Sequence, residues 1–344
     1  MMRVIPASWP NGAAIGQRAG RNMDVILHLG AHRTGSTTFQ SYMRRTSSEL
    51  TGRGIGYWGP QRTRRGLFAG LMPASRLNIG RNAQTRAEGR VQIQMTRSAR
   101  NGVRKLVVSD ENMIGSVCDN LRKRALYPAI GERMARYARA FDGRLSRVVL
   151  NIRAQDLFWS SAMAYGVARG HRMLPPEGFE NLSVSRRTWR DVITDLACAL
   201  PETEIRILPF ERYLGRPDAL LATCIDEVAP RNADAQWLNR APDVSALRQI
   251  LAERGEILGL QVLGADLGVV RWMPFNEAQT ASLREAYADD MHWLISGADG
   301  LATLTENTMT EDWDHTRTGN IPPFGPLTKG LGHDKQERYV AGHR

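Results

Sequence analysis

The chain has 344 residues, 42% of them hydrophobic and 24% charged, which is enough to bury the core of one large α/β domain or two small ones. Its formal net charge of +11 is uneven: through Arg104 there are 17 Arg and no Lys against Asp24, Glu49 and Glu88, so this portion nets +14 and the remainder −3. No stretch approaches the ~20 apolar residues of a membrane span, and the scattered Cys118, Cys198 and Cys224 exclude a disulfide framework and point to a reducing, cytoplasmic setting.

Residues 1–22 contain Arg3, Arg18 and Arg21 without an apolar run, which excludes a secretory signal. A strand opens immediately after Met23, so this segment is expected to be a disordered extension or a start called too early. Val25-Ile26-Leu27-His28-Leu29 reads as a buried strand. A loop of small residues and hydroxyls follows through Thr38, and then a helix through Arg45. Strand, tight loop and helix N-terminus is an anion-binding arrangement, because free N–H groups and the positive end of the helix dipole converge there. The spacing Gly30-x4-Gly35 matches a Walker A loop with Thr37 in place, but the lysine position holds Ser36. The loop's cation is Arg33, three residues earlier. An anion site is expected, and an ordinary ATP site is not.

Residues 51–102 carry many glycines, a basic cluster (Arg62, Arg64, Arg65) and a polar helix over 81–100. They read either as a solvated surface or as a lid facing substrate. The apolar run at 105–108 is a second strand, whose carboxyl end delivers Ser109, Asp110 and Glu111. A helix or helix pair follows over 119–141, then a strand over 147–153 and a helix over 154–169. The pattern continues with a helix over 186–200 capped by Ser185, a strand over 204–210, and helices over 218–228, 245–258 and 277–295. The polar tail after Gly297 is expected to be loop or disorder. Alternating strands and helices imply one α/β domain over 23–296, with a parallel sheet flanked by helices and ligands at the carboxyl ends of its strands.

His32-Arg33-Thr34-Gly35-Ser36-Thr37-Thr38-Phe39-Gln40 resembles the loop of sulfotransferases that use 3′-phosphoadenosine-5′-phosphosulfate (PAPS). The likeness is nearest to the bacterial branch with a Gly-x-His-[Lys/Arg]-Thr-Gly-[Thr/Ser]-Thr start. Arg153 followed eight residues later by Ser161 resembles the signature that grips the 3′-phosphate of that cofactor. Val107–Asn112 is similar to a segment that carries a catalytic acid in some branches, and Leu283–Tyr287 with Trp293-Leu294 is similar to the family's late helix. The resemblance spans roughly residues 23–295.

It implies a three-layer α/β/α fold of the P-loop NTPase type and transfer of a sulfuryl group from PAPS to an acceptor hydroxyl, such as that of a carbohydrate, with no metal. Thr34, Gly35, Ser36, Thr37 and Thr38 would hold the 5′-phosphosulfate. Arg33 would neutralise the leaving phosphate, although the family more often has Lys here and Arg is no proton donor. Arg153 and Ser161 would take the 3′-phosphate. Glu111 is the first choice of general base, with Asp110 and His32 behind it; both acids also read as helix-start residues. His28 reads as a core histidine. Two other functions remain open: a P-loop kinase or NTPase with magnesium on Asp110, and a polyanion binder using the Arg-rich front half. No nucleic-acid signature accompanies the charge.

Overall fold

The computed structural model describes residues 23–71, 81–232, 237–264 and 271–305. Among these, six strands form one sheet: β1 (Asp24–His28), β2 (Ile55–Trp58), β3 (Lys105–Ser109), β4 (Leu145–Ile152), β5 (Glu204–Pro209) and β6 (Thr303–Leu304). Their order is β2-β3-β1-β4-β5-β6, and every pairing is parallel. Side chains alternate between faces along a strand, and helical crossovers cover both faces of a parallel sheet. Val25, Leu27, Leu106, Val108 and Val148 pack in one core, while Ile26, Val107 and Val149 pack in the other.

The first core is closed by the helices Arg81–Arg100, Ile130–Phe141, Gln155–Ala168 and Trp189–Ala199, through Val91, Met134, Phe158 and Trp189. The second is closed by α1 (Ser36–Arg45) and the helix Pro217–Ile225, through Phe39, Met43, Leu220 and Leu221. The result is the expected three-layer α/β/α arrangement, with β1 in the interior of the sheet. The chain from β1 runs to β2 and β3 on one side, and the chain from β4 runs to β5 on the other. The strand order therefore reverses between β1 and β4, where open α/β sheets form their ligand crevice.

Several elements differ from the sequence expectation. β2 lies inside the stretch read only as surface or lid. It is four residues long and contains Gly56, where a Cβ would meet Val103 Cγ1 at 2.8 Å, so its apolar signal is diluted by a glycine that packing demands. The helix read from 186 begins at Trp189, and its cap is Thr188 rather than Ser185. Thr188 and Asp191 form a reciprocal capping box, which uses two donors that Ser185 would leave open. The helix read over 245–258 is two helices, Val244–Glu253 and Ile257–Leu263, divided at Gly255 (φ 66°). A further helix, Pro176–Ser183, lies where no element was read, and it buries Phe179 and Leu182 one turn apart. The ordered fold also continues past 296, because β6 pairs with β5 through Arg206–Thr303 and Ile207–Leu304. The extension expected over 1–22 and the tail beyond 305 lie outside the described residues.

Candidate anion-binding site

The loop after β1 leaves the sheet late. Leu29 N–H donates to Val149 O at 2.8 Å and Ala31 N–H to Asn151 O at 3.1 Å, which prolongs the ladder with β4. Gly30 is required by close packing, since a Cβ there would meet Ser36 Oγ at 2.8 Å and the His28 ring at 2.9 Å. Arg33 (φ 68°) and Gly35 (φ 80°) both take left-handed backbone, which costs Gly35 little and strains Arg33. Gly35 is the N-cap of α1; no side chain caps this helix and no acid sits in its first turn. Its first-turn N–H groups and the positive end of its dipole therefore open toward the loop mouth.

The loop hydroxyls serve structure first. Thr34 Oγ1 donates to Ala31 O at 2.5 Å and Ser36 Oγ to Gly30 O at 3.3 Å, so both bonds close the loop on itself. Thr37 Oγ1 accepts from Asn239 Nδ2 at 3.4 Å, and Thr38 Oγ1 accepts from Leu238 N–H at 3.1 Å. The residue in the Walker lysine position is thus turned inward, and residues 237–239 lie along the start of α1.

Two cations flank the loop. Arg33 Nε donates to Ser161 Oγ at 3.0 Å and Nη2 to Asn239 O at 2.9 Å, with the guanidinium 4.9 Å from the Tyr165 ring centre. Arg153 is only 7% exposed. Its Nη1 donates to Arg33 O at 2.9 Å, and its guanidinium lies 4.9 Å from the Phe210 ring centre. Burial lowers each guanidinium to about 10, which leaves both charged at neutral pH. Among the described residues neither meets a carboxylate within ion-pair distance. Ser161, expected beside Arg153, bonds Arg33 instead; Ser160 donates to Asp156 O inside its own helix.

Two buried N–H groups here have no partner among the described residues: Arg153 Nε and Asn151 Nδ2. Orphaned buried donors are uncommon in native folds and call for an acceptor. Asn151 lines a cleft with Gly35, Thr38, Phe210 and Trp237, and the two aromatic rings meet edge to face at 5.7 Å.

The acids after β3 are arranged differently. Asp110 is fully buried and accepts from Thr63 Oγ1, from Arg64 Nη2 at 2.8 Å and from Asn112 N–H at 3.0 Å. Glu111 keeps 17% side-chain exposure and accepts from Arg64 Nη2 at 3.0 Å and Gln40 Nε2 at 2.8 Å. Burial pushes both carboxyls up. For Asp110 burial prevails, whereas for Glu111 the charge of Arg64, a backbone hydrogen bond and the Gln40 bond outweigh it and hold the group at about 2. Burial likewise works against the charge of Arg64, but the two acids overcome it and raise Arg64.

The two histidines are engaged as well. His32 Nδ1 lies 3.0 Å from Tyr127 Oη and Nε2 3.1 Å from Asn112 Oδ1, and burial lowers its pKa. Tyr127 donates to Nδ1 and Nε2–H to Asn112 in the neutral tautomer that satisfies both contacts. His28 is a core histidine, bonded to Ser109 Oγ at 2.8 Å and Asn151 Oδ1 at 3.0 Å, and burial lowers it to about 4.

Sequence reasoning missed Arg64, Asn151, Tyr165, Phe210 and Asn239. Asn151 had a visible signal, since it is the polar residue in the otherwise apolar run Val148–Ile152. Arg64 was hidden among neighbouring arginines, and Asn239 reaches the loop from more than 200 positions away. Among the described residues no group of three or more His, Cys, Asp or Glu side chains is placed to hold a metal ion, and no helix is long and apolar enough to cross a membrane. No protein-family model matches the chain, and neither does any curated protein or solved structure.

Proposed function

We propose that the chain is a cytoplasmic sulfotransferase that moves a sulfuryl group from PAPS to an acceptor hydroxyl, such as that of a carbohydrate. The observation that carries this reading is the donor set at the β1–β4 crevice. Arg33, Arg153 and the uncapped N-terminus of α1 converge there, with Arg153 Nε and Asn151 Nδ2 buried and, among the described residues, unpartnered. Each such donor costs about 1–3 kcal/mol while unmatched, and a bound anion removes that cost. Two guanidinium groups without a described carboxylate partner suit a nucleotide with two anionic groups, a 5′-phosphosulfate and a 3′-phosphate.

In this reading the phosphosulfate lies against the N–H groups of Gly35–Thr38, and Arg33, steadied by Ser161 and Tyr165, offsets charge on the phosphate oxygen that leaves. Arg153 meets the 3′-phosphate, and Phe210 with Trp237 offers an aromatic wall to the adenine. The acceptor oxygen forms its bond to sulfur as the bridging S–O bond breaks, and the electron pair of that bond passes to the phosphate. Positioning and electrostatics supply most of the catalysis, as in phosphoryl transfer. The acceptor proton goes to Glu111, the carboxylate of the pair that reaches solvent. A group held at about 2 is a weak base. It suffices if the hydroxyl loses its proton late, after its bond to sulfur has begun to form.

The kinase reading fits less well. It needs a lysine in the loop and a carboxylate after β3 for magnesium, but Ser36 points inward and Thr63, Arg64 and the Asn112 N–H occupy Asp110. Thermal shift separates the two. Adenosine 3′,5′-bisphosphate without magnesium is expected to raise the melting temperature, and ATP with magnesium is not. The reverse pattern would overturn the proposal. A screen of hydroxyl acceptors with labelled PAPS then identifies the acceptor.

A further inference from the structure

Away from this crevice, Cys118 and His171 stand with Sγ 2.9 Å from Nε2. Two local devices set that geometry. Ser116 caps the short helix Val117–Lys123 by accepting from Asp119 N–H at 3.1 Å, which fixes Cys118 in its first turn. Gly170 (φ 99°) turns the chain just after the helix Gln155–Ala168, and His171 N–H reaches back to Gly166 O at 3.0 Å, which fixes the backbone that carries the imidazole. The pair lines a cavity of about 210 Å³ together with Met163, Val167 and Leu174 and with two cations, Arg122 and Arg172. Arg122 also pairs with Asp119, whereas Arg172 is exposed to solvent. The other cysteines lack this setting: Cys224 is fully buried, with its thiol pushed up to about 12, and Cys198 lies exposed.

We propose that Cys118 and His171 form a reactive thiol–imidazole site that exchanges with small disulfides carrying an apolar body and a carboxylate. An adjacent imidazole takes the thiol proton and leaves the thiolate, which is the nucleophile. Cys118 Sγ attacks one sulfur of the disulfide; the new S–S bond forms as the old one breaks, the departing thiolate carries away the electron pair, and the proton held by His171 passes to it or, when the leaving thiol is an acidic aryl thiol, to water. The Cys118 sulfur is oxidised and the leaving sulfur is reduced, so the disulfide is the only co-reactant. The apolar wall receives the body of the molecule, and Arg172 faces its carboxylate. This site stands independently of the sulfuryl-transfer reading.

The test is stopped-flow reaction of the full chain with Ellman's reagent, an aryl disulfide with two carboxylates, from acid to alkaline pH. One equivalent is expected to react in a fast phase that persists to about pH 6, there roughly tenfold or more ahead of the remaining thiols. The fast phase is absent in Cys118→Ser and kept in Cys198→Ser. His171→Gln slows it by about tenfold near pH 6 and converges on the wild-type rate at alkaline pH, where any thiol ionises. Because His171 is exposed, this variant keeps the fold. A neutral pyridyl disulfide tests the carboxylate: the preference for Ellman's reagent should shrink in Arg172→Ala. A fast phase surviving in Cys118→Ser, or a His171→Gln rate equal to wild type at every pH, would overturn the site. Equal preference in wild type and Arg172→Ala would overturn its ligand class.

Discussion

At the carboxyl edge of the sheet, β3 and the β1–β4 crevice handle charge in opposite ways. After β3, Asp110 and Glu111 share Arg64, so each acid there has a cation partner inside the protein. Across β1, Arg33 and Arg153 rest on a hydroxyl, backbone carbonyls and aromatic rings, and no described carboxylate pairs with either. The first arrangement stabilises the folded chain by itself. The second leaves its charge to be matched by a ligand. Burial works against the charged form on both sides, so the contrast lies in the partner.

The largest effect should come from breaking the matched side. Arg64→Ala leaves Asp110 fully buried with Thr63 and a backbone N–H but no cation, and the loss should be about 3–5 kcal/mol in urea unfolding. A loss under about 1 kcal/mol would mean that the ion pair is no more than a surface contact.

The acid limb of stability gives the next effect. Glu111 is held below its ordinary value of 4.5, at about 2. A carboxyl depressed on folding stabilises fully above its ordinary value, and that contribution is lost as pH falls toward the folded value. The stability difference between wild type and Glu111→Gln should therefore shrink by up to about 3 kcal/mol between roughly pH 4.5 and 2. His28, lowered from 6.5 to about 4, adds a loss as pH falls through that higher window. The charge of Glu111 is one of the influences that raise His28, so the two are separated by window: the His28 loss is complete by about pH 4, and the change below that belongs to Glu111. A constant difference across the lower window would break the assignment.

The contrast between the two sides also explains what the sequence made legible. Strands such as Val25–Leu29 and Val148–Ile152 announce themselves because a strand buried on both faces is a continuous apolar run. The loop was legible because glycines at fixed spacing mark backbone demands, and the Gly30 and Gly35 geometry bears this out. What stayed hidden depends on tertiary placement. Arg64 is indistinguishable in sequence from Arg62, which lies over the Trp58 ring, and only the turn at Gly66 (φ 100°) together with Thr63 brings it to the acids. The pairing of Ser161 with Arg33 rather than Arg153 was equally unreadable, because spacing along a helix does not say which strand end lies opposite.

On the unmatched side, Arg153→Ala separates ligand binding from folding. Bisphosphate at ~100 times its dissociation constant should stabilise the wild type by about 2.7 kcal/mol, and most of that should vanish in the variant. The unliganded variant should unfold near the wild-type midpoint, since the side chain removed is a buried cation without a carboxylate partner among the described residues. A large loss of unliganded stability would instead assign Arg153 to structure, as with Arg64.

The smallest effect tests how Arg33 is held. Ser161→Ala removes the hydroxyl that accepts from Arg33 Nε at 3.0 Å but leaves the Asn239 carbonyl and the Tyr165 ring in place. One hydrogen bond to a charged group, partly replaced by water at this half-buried position, should be worth about 1 kcal/mol, or roughly fivefold in bisphosphate affinity by titration calorimetry. Ser160→Ala is the control, because its hydroxyl bonds Asp156 O within the same helix. If the two variants weaken binding equally, the effect belongs to the helix. If Ser161→Ala alone does, a neutral hydroxyl is part of what keeps Arg33 aimed at the crevice without neutralising it.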